Sequence, residues 1–214
     1  MLELGVKLLL AYLLGTVMGG LLLGRLRGVD IRALGSGNAG ATNAMRTQGK
    51  AFGVAVLLID IAKGVLAVRW LPGAVLPGIG LDPAVSREWL GVGCGCAAIV
   101  GHVYPVWYGF RGGKGVATVL GVAGAVQPWL LVPLLASWLA VVLLSGFVGL
   151  ASMCAGAAML AAVLVRAPDD RPLLTFAAAV AALVIFTHRS NIARMRAGQE
   201  NRVRRLWLFR SRAA

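Results

Sequence analysis

From Val116 to Val165 the sequence carries no ionisable side chain other than the thiol of Cys154. A soluble helix buries one stripe and turns a polar face to water, so apolarity this continuous belongs in a lipid bilayer. The remaining sequence agrees. It is 59% hydrophobic and 14% charged, where a soluble domain carries roughly 25% charge. The expected fold class is all-α: a polytopic integral membrane protein, with residues 1–214 as one membrane-embedded domain.

Further apolar segments mark spans at about residues 4–23, 51–68, 89–106 and 173–187. The loop after the first span holds Arg25, Arg27, Arg32, Arg46 and Lys50 against the single acid Asp30. The tail holds Arg189, Arg194, Arg196, Arg202, Arg204, Arg205, Arg210 and Arg212 against Glu200. Both basic segments belong on the cytoplasmic side. Spans two and three return the loop at Lys114 to that side, and the last span also ends there. The long apolar run must therefore cross an odd number of times. A helix rises about 1.5 Å per residue through a hydrocarbon core of about 30 Å, which makes one crossing too few and three crossings of about 17 residues feasible. Break signals stand at Gln127-Pro128 and Ser145-Gly146. The expectation is seven transmembrane helices, with the N-terminus outside and the C-terminus cytoplasmic.

The net charge of +13 is explained by this topology, since the basic residues flank apolar spans; a nucleic-acid partner is not expected. Cys94, Cys96 and Cys154 lie in apolar stretches and read as small buried residues, and Cys94-Gly95-Cys96 has neither redox nor zinc spacing. Met1 to Lys7 contains Glu3 and no basic region leading to a cleavage site, so the first apolar run reads as a retained span.

Three segments carry the chemistry. The first is GSGNAGATNAMR, Gly35 to Arg46. Its glycines allow close backbone approach to an anion. Ser36, Gly37, Asn38, Thr42 and Asn43 are candidate ligand contacts, and Arg46 offers a planar fork suited to phosphate. The match of Gly35, Gly37 and Gly40 to a dinucleotide fingerprint is a decoy, because that motif needs a soluble βαβ unit. The second segment is GHVYPVWYGFRGGKGVAT, Gly101 to Thr118. Its Arg111, Gly112, Gly113, Lys114 and Gly115 suit an anion without forming a nucleotide-binding loop, since Tyr108 and Gly115 replace required residues. His102 is either a helix-end residue or a ligand contact. Tyr104, Trp107, Tyr108 and Phe110 form an interfacial belt or a mouth for an acyl chain. The third segment runs from His188 to Arg202. His188 and Asn191 can share a helix face, and Glu200 suits a salt bridge. Arg189, Arg194 and Arg196 can hold phosphate or touch anionic lipid, and the arginines after Glu200 read as lipid contacts. Asp60 and Lys63 inside span two are either a self-neutralising pair or functional groups. Ser152 could face the same side.

Together these segments resemble the bacterial acyl-phosphate:glycerol-3-phosphate acyltransferases over nearly the whole chain, DIAKG at Asp60 to Gly64 included. Two departures stand out: Thr16-Val17-Met18 replaces the family's usual Ser-Ile-Pro, and Gly149 replaces a common Ser. The resemblance implies transfer of a fatty acyl group from acyl phosphate to the sn-1 hydroxyl of glycerol 3-phosphate. The products are lysophosphatidic acid and inorganic phosphate, formed at the cytoplasmic face of the bacterial inner membrane. It implies Ser36, Arg46, Lys114, His188 and Asn191 as the catalytic set, with Asp60, Lys63 and Glu200 in support. The remaining candidates would bind substrate. No metal or cofactor is expected, anionic lipid would surround the basic loops, and the protein would act as a monomer. The H-x4-D pair of other glycerolipid acyltransferases is missing, since Trp107 follows His102 and Ala193 follows His188 at the relevant distance. The proton is then expected to pass to the acceptor's own phosphate or to a histidine, His188 before His102. A small transporter for a phosphorylated solute competes with this reading, as does a lipid-binding scaffold. The transporter predicts polar side chains along a path through the bilayer, and the later spans have almost none.

Overall fold

The computed structural model describes residues 1–203 together with Trp207 and Leu208. Arg204, Arg205, Arg210 and Arg212, read above as lipid contacts, lie outside the described residues. Among the described residues the regular structure is helical apart from one isolated bridge between Leu76 and Ile79. Six helices build the unit of residues 1–128: α1 (Leu2–Gly15), α2 (Gly19–Leu26), α3 (Ala41–Gln48), α4 (Lys50–Arg69), α5 (Arg87–Val103) and α6 (Val116–Val126). Four build a second unit from residue 129 onward: α7 (Leu131–Ser145), α8 (Val148–Arg166), α9 (Arg171–Thr187) and α10 (Arg189–Arg196).

Among the described residues four segments are long and apolar enough to cross a membrane: Lys50–Gly73, Arg87–Tyr108, Pro128–Ser145 and Val148–Arg166. The pairs α1–α2 and α9–α10 qualify only as bent spans, at 47° and 49°, and α6 is a shorter apolar helix. The long apolar run breaks where its sequence signals stand. Pro128 opens the 3₁₀ turn before α7, and Gly146 ends α7 in the left-handed region at φ +75°.

The break in the first span is a departure from the continuous helix expected over residues 4–23. It contains no proline. Its cause lies on α4, where Lys63 Nζ donates to the carbonyls of Gly15 and Val17, at 2.8 Å each. One turn away, Asp60 Oδ1 accepts from the N–H of Gly19, the first residue of α2, at 3.2 Å. A helix end leaves carbonyls without partners and a helix start leaves N–H groups without partners; a cation suits the first and an acid the second. The DIAKG turn therefore caps both halves of the broken helix.

Glycines bring the helices of the first unit into contact. A methyl added at Gly15 would strike the Ala98 carbonyl, and one at Gly101 the Tyr12 carbonyl, so α1 and α5 meet backbone to backbone. Gly64 and Gly121 do the same for α4 and α6, against the carbonyls of Thr118 and Ile61. Small residues at helix crossings are how membrane helices gain packing contact without a hydrophobic driving force. At the start of α1, Lys7 Nζ meets Glu3 Oε1 at 2.7 Å and the Pro72 carbonyl at 2.8 Å. Arg87 holds Glu3 through both Nη atoms at 2.6 and 2.9 Å. This ionic knot joins α1 to α5 at the end of the unit opposite the glycine loops.

Candidate active site

The first loop is framed from within by Asn43, on the first turn of α3. Its Nδ2 lies 3.0, 2.9 and 3.0 Å from the carbonyls of Ile31, Leu34 and Asn38, and its Oδ1 accepts from the Ser36 N–H at 2.9 Å. The residue is 1% exposed. The sequence suggested Asn43 as a substrate contact; the structure gives its amide to backbone groups that a tight loop leaves without helix or strand partners. Gly35, at φ +57°, leaves room for Asn43 Oδ1. Around this frame Ser36 and Asn38 are half-buried, and Gly37, Thr42 and Arg46 are exposed.

The second loop doubles back onto the end of α5. The Gly112 N–H donates to the Val103 carbonyl and the Gly113 N–H to the His102 carbonyl, both at 3.1 Å. These two amides, read from sequence as phosphate donors, are thus engaged in capping a helix end. What the glycines supply is space. A methyl at Gly112 would strike the His102 carbonyl, and one at Gly113 would strike His102 Nε2. Lys114 is half-buried, and Gly115, at φ +82°, opens α6.

Arg32 joins the two loops. Sequence reasoning treated it as a topogenic charge, and nothing in its local pattern says otherwise. Its guanidinium meets Asp30 at 2.8 Å and reaches across to the carbonyls of Arg111 at 3.1 Å and Tyr108 at 3.4 Å. The Arg32 guanidinium holds the Asp30 carboxyl below the usual carboxylate range, and Asp30 in turn raises Arg32. Arg25 stacks on the Tyr108 ring at 5.0 Å. A cleft of 770 Å³ opens between the loops, lined by Asp30, Arg32, Gly37, Tyr108, Arg111 and Gly112 among others. It gathers Gly37, Arg111 and Gly112 from the expected set; Ser36, Arg46 and Lys114 are not in its lining.

Beneath the second loop sits a buried ionic group. Lys63 Nζ lies 3.0 Å from Asp60 Oδ1 and 2.8 Å from His102 Nδ1, and His102 Nδ1 lies 3.5 Å from Asp60 Oδ1. All three are almost completely buried. Asp60 and Lys63 thus pair with each other, as one sequence reading held, while also serving α1, α2 and α5.

The second unit carries the other candidates. His188 stands at the bend between α9 and α10, with Nδ1 2.7 Å from the Val184 carbonyl. A carbonyl only accepts, so Nδ1 carries a hydrogen. Asn191 donates to Glu200 Oε1 at 2.8 Å, and Glu200 Oε2 accepts from Arg194 Nε at 2.7 Å. The salt bridge expected of Glu200 forms with Arg194. Gly149 makes room for Asn191: a methyl there would meet the Asn191 amide at 2.8 Å. Ser152 donates to the Val148 carbonyl of its own helix at 2.9 Å. Arg202, read as a lipid contact, is exposed and stacks on Phe147 at 4.4 Å and on Trp207 at 4.3 Å.

The family profile described as glycerol-3-phosphate acyltransferase matches residues 6–198. The chain belongs to the glycerol-3-phosphate acyltransferase family. The glycerol-3-phosphate acyltransferase of Geobacter sulfurreducens is 45% identical over 196 residues, covering 90% of this chain and 93% of that protein. That of Aquifex aeolicus is 40% identical over 194 residues, covering 90% and 95%. Among solved structures the chain is similar to PlsY, an integral membrane glycerol 3-phosphate acyltransferase, in its glycerol 3-phosphate form. The TM-score is 0.79 at 36% identity, covering 93% of this chain and 94% of that one. Its lysophosphatidic acid form matches at a TM-score of 0.77.

Membership in the glycerol-3-phosphate acyltransferase family places the apolar helices in a membrane. The structure also shows what the sequence left out. Asp30 and Arg32, which fasten one glycine loop to the other, stood outside every motif. The only signal in the sequence was an acid two residues before an arginine, a spacing too common to carry weight.

Proposed function

We propose that this chain is an acyltransferase that moves a fatty acyl group from acyl phosphate to the sn-1 hydroxyl of glycerol 3-phosphate, releasing lysophosphatidic acid and inorganic phosphate. The observation that carries this reading is the junction of the two glycine loops: Arg32 ties Asp30 to the Tyr108 and Arg111 carbonyls beside a cleft rich in cationic and backbone polar groups. Such a cleft suits phosphate. This reading counts the four full helices, the two bent pairs and the shorter α6 as seven spans, and it assigns the basic glycine loops to the cytoplasmic side of the bacterial inner membrane by the positive-inside rule. Both units belong to one acyltransferase domain, which works as a monomer among anionic lipids.

In the reaction, the sn-1 oxygen attacks the acyl carbon, and the bond from that carbon to the phosphate oxygen breaks. The donor is already activated, so no covalent enzyme intermediate is needed. Both substrates are anions. Arg46, Lys114 and Arg111 offset their repulsion and hold the leaving phosphate as charge develops on it. Ser36, Asn38 and Thr42 add hydrogen bonds, and the glycines at 37, 112, 113 and 115 allow close approach. In the second unit Asn191 is oriented by Glu200, and Ser152 supports that surface. His188 takes the hydroxyl proton. His188 Nδ1 already donates to the Val184 carbonyl, so Nε2 is the nitrogen through which this ring would take the proton, whereas His102 Nδ1 faces an ammonium.

The test is the purified protein in detergent, given palmitoyl phosphate and glycerol 3-phosphate, with palmitoyl-CoA as a parallel donor. Equal amounts of phosphate and lysophosphatidate from palmitoyl phosphate alone are expected. No product from palmitoyl phosphate, or equal rates from palmitoyl-CoA, would overturn the donor assignment. Uptake of glycerol 3-phosphate into proteoliposomes without acylation would instead support a transporter.

A further inference from the structure

We propose that Lys63 is a positioning residue for the second loop: its ammonium fixes His102 as the tautomer with hydrogen on Nε2, so that the ring presents an N–H donor to a phosphate oxygen held at Gly113. This rests on the acyl-transfer reading for its substrate and on geometry for the rest.

The Lys63 nitrogen has three hydrogen-bonding neighbours and one counter-ion. Two neighbours are the carbonyls of Gly15 and Val17 at 2.8 Å, which only accept, and the third is His102 Nδ1 at 2.8 Å; Asp60 Oδ1 stands 3.0 Å away as the ion-pair partner. The buried carboxylate beside it favours the charged form, so the group is an ammonium with three hydrogens and no lone pair. It can only donate, so His102 Nδ1 must accept. Asp60 Oδ1 stands 3.5 Å from the same Nδ1 and would favour a hydrogen there. The ammonium is closer, and a hydrogen on Nδ1 would set two donors against each other at 2.8 Å. Nε2 therefore carries the hydrogen.

That atom lies where a side chain on Gly113 would be. Glycine at this position lets the imidazole reach the surface of the loop from beneath, and the Gly113 N–H already donates to the His102 carbonyl. The loop and the ring are thus held in one register. The register originates in the broken first span, because the carbonyls that anchor Lys63 exist only where α1 stops before α2. A helix break, a buried cation and a phosphate loop form one connected device.

Two measurements test it. The chain has only two histidines, so the ring nitrogens of ¹⁵N-histidine-labelled protein give a readable spectrum without substrate. In the wild type one ring, His102, should show hydrogen on Nε2 and the other, His188, on Nδ1. Lys63→Met should convert His102 to a mixture and leave His188 unchanged, and Lys63→Arg should keep the wild-type pattern. An unchanged His102 tautomer in a folded Lys63→Met protein would overturn the proposal. So would a wild-type His102 with hydrogen on Nδ1. Because this arm needs no turnover, its outcome is independent of whether acyl phosphate is the donor.

The second measurement is a kinetic cycle combining Lys63→Met with His102→Gln. Lys63→Met alone should raise KM for one of the two phosphate substrates by about tenfold, the loss expected for one hydrogen bond to a charged group, with a smaller change in kcat. Whether KM rises for glycerol 3-phosphate or for palmitoyl phosphate identifies whose phosphate meets His102. In the His102→Gln background Lys63→Met should add little, because the ring it orients is gone. Multiplicative effects, or a fall in kcat with both KM values intact, would reduce Lys63 to a structural residue. Where Lys63→Met is poorly folded, Lys63→Ala with added methylammonium supplies the missing cation, and recovery of the His102 signal is the expected result.

Discussion

The two histidines of this chain are the same side chain set against opposite partners. His102 in the first unit has an ammonium at Nδ1, 2.8 Å away; His188 in the second has a carbonyl at Nδ1, 2.7 Å away. Both are buried. A donor at Nδ1 sends the hydrogen to Nε2 and makes His102 a hydrogen-bond donor. An acceptor at Nδ1 holds a hydrogen there, and in the proposed mechanism His188 takes a proton at Nε2. The chemical role of each ring is thus decided by one neighbour, four residues upstream for His188 and on a different helix for His102. A charged phosphate needs the first kind of ring, and a hydroxyl losing its proton needs the second.

The sharpest way to break this comparison is His188→Ala. It should lower kcat by about 10²- to 10⁴-fold, the range of general base catalysis, and remove the titrating limb from the pH–rate profile. A preserved profile, with activity restored at high glycerol 3-phosphate, would assign the proton to the acceptor's own phosphate. Gly113→Ala comes next. Its methyl group collides with His102 Nε2, and displacing a positioned group by about 1 Å costs about 10²-fold in kcat/KM. Gly91→Ala, with open space around it, should be near wild type in the same assay. Glu200→Gln should be milder. It removes the charge that holds Arg194 and loosens Asn191, costing about 1 kcal/mol seen as a lower Tm in detergent, with the His188 tautomer unchanged.

The smallest effect belongs to Asp30→Asn. Arg32 keeps the folded-state pKa of Asp30 below its unfolded value, so the folded form binds its proton less readily. The stabilisation is present above the unfolded carboxylate value of about 3.9 and is lost as pH falls through the lower folded value. The wild type should therefore lose a little stability in acid that the Asn variant lacks. At neutral pH the variant should loosen the loop junction, because Arg32 keeps its carbonyl partners but loses its anchor.

Sequence pattern revealed those parts of the fold that are local. The breaks at Gln127-Pro128 and Ser145-Gly146 were legible because proline and glycine end helices by their own geometry. The break at Thr16–Met18 was not, because the groups that stabilise it are on α4, more than forty residues away. The candidate site divides the same way. Glu200 was read correctly as a salt-bridge partner, being the lone acid among arginines. The loop-framing bonds of Asn43 were not legible, since an asparagine that frames a loop and one that binds a ligand have the same local sequence. The reach of Arg32 to the second loop was invisible because its partners there, the Tyr108 and Arg111 carbonyls, are backbone groups. Gly149 leaves room for the Asn191 amide pressed against it, a contact across two helices that local sequence does not reveal.

Direct transfer between two phosphate-bearing substrates is the centre of this account, and an oxygen label follows it atom by atom. Glycerol 3-phosphate carrying ¹⁸O at its sn-1 hydroxyl, turned over with unlabelled palmitoyl phosphate, should give lysophosphatidate with the label in its ester oxygen and inorganic phosphate with none. Phosphate released in the absence of glycerol 3-phosphate, or an ester without the label, would contradict it.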